Sequence, residues 1–324
     1  MCCDVRVPKS DGSQNDTAST QLPGKSVPTA GSSTESNTRD VDVLHEVAVR
    51  VATRAAEHVR LRRPEVFGGG AGVSESTGDN AVQSKSTPTD PVTVVDTETE
   101  RVLREMLAEL RPQDAILGEE EGAEDDSVDG VRWVLDPIDG TVNFMYGIPA
   151  YAVSVAVQID GASVAGAVVD VARELVYSAA LGRGATVQRA DGTRERLACS
   201  AVTDVSMTLL ATGFGYGSRR RAVQGAIISE LLPQVRDIRR IGSAALDLCM
   251  VASGVVDAHF EHGLSPWDWA AGALIAAEAG AVVKLPAANS TSAQGAATVA
   301  MAPGISDAFL AVLRSAGALD PIPG

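Results

Sequence analysis

Aromatic side chains are scarce: Phe, Trp and Tyr together are 4% of the 324 residues, although 45% of the chain is hydrophobic. The core is therefore expected to consist of Ala, Val, Leu and Gly, a globular amount of apolar residue but a small average side chain. Basic residues are also short, 27 Lys and Arg against 42 Asp and Glu, a formal net charge of −15. That deficit argues against a dedicated nucleic-acid binder, because phosphate backbones are held by surplus Lys and Arg. It argues equally against an anionic membrane surface. Small phosphate compounds remain open as ligands if metal ions supply the positive charge. Cys2, Cys3, Cys199 and Cys249 are scattered and make no disulfide framework, which fits a reducing compartment. No run of about 18 uninterrupted apolar residues occurs, and the richest stretch, Ala270 to Val283, is broken by Glu278. With no apolar leader at the N-terminus either, the expectation is a cytoplasmic protein.

Residues 1–40 are rich in Ser, Thr, Gly and Pro, without helical or strand period, and read as a disordered tail. Val41, Leu44, Ala48, Val51, Ala52, Ala55 and Val59 then recur at three- and four-residue steps, one face of a helix ending before Pro64. Residues 64–83 read as a Gly/Ser-rich loop. A second helix is expected after Asp96 as N-cap, with Val102, Leu103, Met106, Leu107 and Leu110 on its face. Strands follow at 115–118 and 131–135, then a hairpin of 151–159 and 163–169, then strands at 175–180 and 185–189. Beyond about 205, strands at 207–212, 255–260, 281–285 and 297–302 alternate with helical stretches near 219–232, 243–252, 268–279 and 304–315. The fold class is α+β: an antiparallel half over 41–204 and an α/β half over 205–324, stacked in layers.

The most informative string is Trp133-Val-Leu-Asp136-Pro-Ile-Asp139-Gly140-Thr141-Val-Asn143-Phe144. An apolar strand delivers Asp136 at its end, Pro137 stiffens the turn, Asp139 follows three residues later, and Gly140-Thr141 opens a helix. Two carboxylates beside outward backbone N–H groups suit hard cations and phosphate oxygens. For an isolated D-x-x-D-G, a turn with Asp139 as helix cap is the better account. Two further acidic elements stand apart in sequence. Gly118-Glu119-Glu120-Glu121 alone is a solvated loop, and Asp268 in Trp267-Asp268-Trp269 alone is a helix cap. No His or Cys cluster lies near these motifs, so an all-oxygen site would favour Mg²⁺ or Mn²⁺ over zinc.

Taken together, these motifs resemble the inositol monophosphatase family of magnesium-dependent, lithium-sensitive sugar-phosphate phosphatases, most nearly its bacterial inositol-1-monophosphatase branch. D-P-I-D-G-T-x-N-F is complete at 136–144, G-E-E stands at 118–120, and W-D-x-A-A-G-x-L-I-x-x-E-A-G runs from Trp267 to Gly280. The segment from Lys85 to Asp96 and the stretch Arg239-Arg240-Ile-Gly242-Ser243-Ala244 are also similar to family segments. Ala281 departs from the usual second Gly after E-A-G, a packing matter only. The resemblance covers residues 41–315 and implies a layered αβαβα fold that hydrolyses inositol-1-phosphate to myo-inositol and phosphate. Related substrates are histidinol phosphate, fructose-1,6-bisphosphate, NADP or a 3′-phosphonucleotide, and a regulatory binding role is the reading from another class.

By the same resemblance, Glu119, Asp136 and the Ile138 carbonyl hold one Mg²⁺, and Asp136, Asp139 and Asp268 a second. A weaker third ion lies near Glu119, so two or three ions are implied. Thr141 and Glu119 help deprotonate the attacking water, with no phosphoenzyme, and Asp268 helps protonate the leaving group. Gly140 and Thr141 amides grip the phosphate, while Ser243, Ala244, Glu261 and the 213–216 loop contact polyol hydroxyls. Lys85 and Asp96 support the ligands from behind, a surface lysine and a helix cap being the plain alternatives. His259 and His262 read as solvent-facing or packed rather than as ligands. Arg219-Arg220-Arg221 reads as a solvated helix face, and Trp267 as core packing. Relatives are commonly dimers, so a homodimer is implied.

Overall fold

The computed structural model describes residues 32–68, 82–85, 91–123 and 130–324. The chain opens with α1 (Ser32–Phe67), a small ladder of β1 (Val82–Ser84) and β2 (Pro91–Thr93), and α2 (Val94–Leu110). Next come β3 (Ala115–Gly118), β4 (Gly122–Ala123), β5 (Val131–Asp139), α3 (Thr141–Tyr146), β6 (Ala152–Ile159), β7 (Ala162–Asp170), β8 (Leu175–Ala180), β9 (Gly184–Gln188) and β10 (Arg194–Arg196). The remainder is β11 (Leu209–Thr212), α4 (Ser218–Leu231), β12 (Asp237–Arg239), α5 (Ala244–Ala252), β13 (Ala258–His262), α6 (Pro266–Glu278), β14 (Val282–Lys284), β15 (Ala297–Met301) and α7 (Ser306–Ser315).

Two sheets organise these elements. The larger runs in the order β10-β9-β8-β7-β6-β5-β3-β4 and is antiparallel except for the parallel β3–β5 pair. The smaller runs β12-β11-β13-β15-β14, with β11 parallel to both its neighbours. Strand alternation divides the apolar residues between layers. Trp133, Leu135, Val153, Val155 and Val157 pack against α1 and α2. Val134, Ala152, Ala156 and Val168 face the opposite way, onto α5 and α6. The other side of α5 and α6 meets Ala211 and Ala300 of the small sheet, whose far face carries Leu210, Phe260 and Met301 against α4 and α7. The stack is thus helix, sheet, helix, sheet, helix, as the αβαβα expectation states. The middle helix layer is Ala-rich because it lies between two sheets and has apolar surface on every side.

Several sequence readings need correction. The first helix neither starts at 41 nor stops before Pro64: its backbone runs from Ser32 to Phe67. Pro64 sits in the last turn and forgoes one hydrogen bond to the carbonyl four residues back, while buried Phe67 packs edge-on against Phe144 at 5.5 Å and holds the helix end. The expected loop at 64–83 is accordingly helical at its start and ends in β1, and its 69–81 portion lies outside the described residues, as do residues 1–31 of the expected tail. The second helix begins earlier than expected. Its N-cap is Thr93, and Asp96 is the third helical residue, whose carboxylate reaches back to accept from the Thr93 N–H at 3.0 Å. Among the described residues no helix is long and apolar enough to cross a membrane.

Candidate active site

The D-P-I-D string occupies the end of β5, and its geometry turns on an irregularity. In a regular strand, residues three apart face opposite ways. The β5–β6 register shifts between Asp136, opposite Ser154, and Asp139, opposite Ala152. That bulge turns both carboxylates to one side. The Ile138 N–H donates to Asp136 Oδ1 at 3.0 Å and locks the turn. Gly140 then takes φ 96°, and a Cβ there would lie 3.0 Å from the Ala150 carbonyl oxygen. Any side chain would be strained in this left-handed, enclosed position.

Asp268 arrives from the other direction as the third residue of α6, its Oδ2 accepting from the Ser265 N–H at 2.6 Å. One carboxylate oxygen from each of Asp136, Asp139 and Asp268 lies within 4.8 Å of the other two. Asp139 is further held by the Ser243 hydroxyl at 2.6 Å and the Ala245 N–H at 2.7 Å. Burial raises the proton affinity of all three. It carries Asp136 and Asp268 well above the ordinary carboxylate range, with neighbouring acids adding to the effect. Asp139 rises to about 6, its donors opposing part of the burial effect.

Glu119 reaches the same cleft from the end of β3, where its N–H donates to the Leu135 carbonyl at 3.2 Å. Its carboxylate is not in the tight triple but is held by Lys85, whose Nζ donates to Glu119 at 2.8 Å and Glu120 at 2.6 Å. Burial lowers the Lys85 proton affinity, yet Glu119 and Glu120 more than reverse it, so its charge is secure. Asp96 lies behind the cleft rather than in it. The Thr141 hydroxyl is 3.0 Å from both Asp96 Oδ1 and the Ile138 carbonyl, so its proton is committed rearward. Burial raises Asp96 to about 6, against the pull of its Thr93 donors.

The cleft encloses about 560 Å³. It is lined by Lys85, Glu119, Asp136, Ile138, Asp139, Gly140, Thr141, Ser243, Ala244, Glu261 and Asp268, so every expected site residue except Asp96 shares one cavity. Gly213–Tyr216 and Trp267 line it too, so Trp267 is not simply core. One residue was missed and one reading was wrong. Glu100 is wholly buried and accepts from the Glu120 N–H at 2.7 Å and the Glu121 N–H at 3.1 Å, shaping the acidic turn. Its only sequence signal was a carboxylate on the apolar side of α2. Arg220 is not on a solvated face: it is buried and donates to the Ile322 carbonyl at 2.8 Å and the Ser292 carbonyl at 2.6 Å. His259 and His262 are buried, so of the two readings for them the packed one holds.

Four acids facing one cavity, Asp136 and Asp139 buried and Asp268 and Glu119 partly so, with an all-oxygen donor set, fit a hard divalent cation. The inositol monophosphatase family model matches residues 40–316. The chain belongs to that family. Inositol-1-monophosphatase of Mycobacterium leprae is 60% identical over 287 residues, spanning 87% of this chain and 97% of that protein. The solved structure of Mycobacterium tuberculosis SuhB superposes with a TM-score of 0.71 at 52% identity, covering 86% of this chain and 98% of that one. The Nus factor SuhB of Escherichia coli is 40% identical over 208 residues, 64% of this chain and 76% of that protein. The chain is a metal-dependent phosphatase of this family, and the resemblance read from its motifs holds.

Proposed function

We propose that this phosphatase hydrolyses inositol-1-phosphate to myo-inositol and phosphate, using Mg²⁺, for which Mn²⁺ can substitute. The observation that carries the reading is the convergence of Asp136, Asp139 and Asp268 within 4.8 Å, beside Glu119 and Thr141 in one cleft. Asp136, Asp139 and Asp268 would hold one ion, and Glu119, Asp136 and the Ile138 carbonyl another, with a weaker third near Glu119. When bound, the ions supply the charge that draws in phosphate and make water acidic enough to act as a nucleophile near neutral pH.

The remaining chemistry belongs to the chain. The Thr141 proton points back to Asp96 and Ile138, leaving the hydroxyl oxygen to accept a hydrogen bond from the attacking water. Glu119 is the carboxylate placed to take the water's proton. The Gly140 and Thr141 amides hold phosphate oxygens in line. Ser243, Ala244 and Glu261 border the space left for the alcohol, and Asp268 helps return a proton to it. A cytoplasmic homodimer, inhibited by millimolar lithium, completes the reading. The supporting comparison is the identity to the Mycobacterium leprae enzyme, whose name gives the substrate.

The test is a panel of inositol-1-phosphate, histidinol phosphate, fructose-1,6-bisphosphate, NADP and a 3′-phosphonucleotide, ranked by kcat/KM with and without Mg²⁺. Inositol-1-phosphate ranking first, with turnover lost on chelation, is the expected result. Another ester far ahead of it would overturn the substrate and leave the metal site standing.

A further inference from the structure

A second acidic group, Asp247 with Glu261, stands beside the first and reaches the cleft through Glu261. His259 and Glu261 are two residues apart on β13 and share the face turned to α5, while Ala258 and Phe260 fill the core beyond the sheet. The strands on either side place Ala211 and Ala300 opposite His259, and these small side chains leave room for the ring. From α5, Asp247 Oδ2 comes within 3.5 Å of His259 Nδ1, an ion-pair distance rather than a good hydrogen bond. One atom from each of Asp247, His259 and Glu261 lies within 4.8 Å of the other two.

The imidazole is 0% exposed, and neither ring nitrogen has a hydrogen-bond acceptor or donor; Asp247 Oδ1 is likewise unmatched. A neutral ring would leave the Asp247 and Glu261 carboxylates to repel one another uncompensated, which burial makes costly. A cationic ring between two carboxylates is matched electrostatically. The groups facing it are Asp247 from α5, Glu261 from its own strand and Asp139 from β5. Burial opposes the charge on His259, but these acids outweigh it and raise its proton affinity. Glu261 faces His259 and Arg240 as cations, and Asp247, Asp139 and Asp268 as anions. Burial still lifts it to about 7, with His259 the foremost group pulling it down.

We propose that His259, anchored by Asp247, is a positioning residue that keeps Glu261 ionised and turned into the cleft to accept hydroxyls of the substrate alcohol. The role rests on the reading of this cleft as a polyol-phosphate site, and it assigns selectivity for a hydroxyl-rich alcohol to a residue outside the cleft lining. Gly213 is the matching feature in front: a Cβ there would fall 2.2 Å from Glu261 Oε1, so its absence gives the carboxylate its place.

The experiment compares wild type, His259→Phe and Asp247→Asn on inositol-1-phosphate and on p-nitrophenyl phosphate, which has no alcohol hydroxyls to read. His259→Phe is expected to lower the kcat/KM ratio between the two esters about 10-fold, through KM for inositol-1-phosphate. It also moves the acid limb for that substrate up by about one pH unit, because Glu261 loses its cation. Asp247→Asn should shift both in the same direction by less. Independently of any substrate, nitrogen NMR of the wild-type protein should show the His259 ring as imidazolium at pH 7, assigned among the four histidines by substitution. A neutral ring at that pH, an equal loss on both esters, or a stoichiometric metal that His259→Phe releases would each overturn the proposal. Wild type that ignores inositol-1-phosphate but shows the imidazolium would instead sink the substrate reading alone.

Discussion

The cleft has two acidic walls that handle the same problem differently. Asp136, Asp139 and Asp268 gather from β5 and α6 with Lys85 placed off to one side, on Glu119 and Glu120. Asp247 and Glu261 gather around a histidine, with Arg240 nearby. The first wall leaves its charge to be neutralised by whatever enters, which suits ions and, through them, phosphate. The second neutralises itself, which suits uncharged hydroxyls. On the proposed roles, the carboxylates read phosphate or alcohol according to where the compensating charge comes from.

The sharpest break in that comparison is at the first wall. Asp136→Asn should lower kcat at least about 10²–10³-fold, while thermal unfolding still shows a folded protein; phosphate release by a folded variant at near-normal rate would contradict the assignment. A smaller effect, on stability rather than on turnover, is expected for Glu100→Gln, which weakens support of the acidic turn by about 1–3 kcal/mol as read by denaturant unfolding.

The two walls should also part in their pH behaviour. Asp136, Asp139 and Asp268 bind protons more tightly folded than unfolded, so in ion-free protein stability falls as pH rises from about 4 through the Asp139 value of about 6 and beyond. Saturating Mg²⁺, if it is the ion these acids hold, would remove that penalty. It should raise Tm by about 5 °C at pH 8 and much less at pH 5, read by differential scanning fluorimetry. Smallest is Gly213→Ala, which displaces only the end of the Glu261 side chain. A rise of KM for the polyol phosphate by about three- to tenfold, with kcat steady, is expected from steady-state kinetics.

Legibility in the sequence followed the same division. The first wall is carried by local strings, D-P-I-D-G-T and W-D, which name their chemistry when taken together, even before the strands are placed. What those strings could not show is the bulge between Asp136 and Asp139, since regular alternation would send the two apart. Nor could they show that Asp96 sits in the third helical position, its two oxygens divided between Thr93 and Thr141. The second wall has no string at all. His259 read as packed or solvent-facing because Asp247, the group that gives it meaning, lies twelve residues away on another element. Arg220 was misread for a related reason: a helix wheel marks which residues are charged, but not that carbonyls of Ser292 and Ile322 wait beneath one of them.

The sequence by itself determined the family, the layered helix and strand order and the acids that meet in the cleft, because local periodicity and short motifs are written in neighbouring residues. Only the tertiary structure decided which buried charges compensate one another. That balance depends on separations of a few ångströms between residues far apart in the chain, set by how two sheets close on the helices between them.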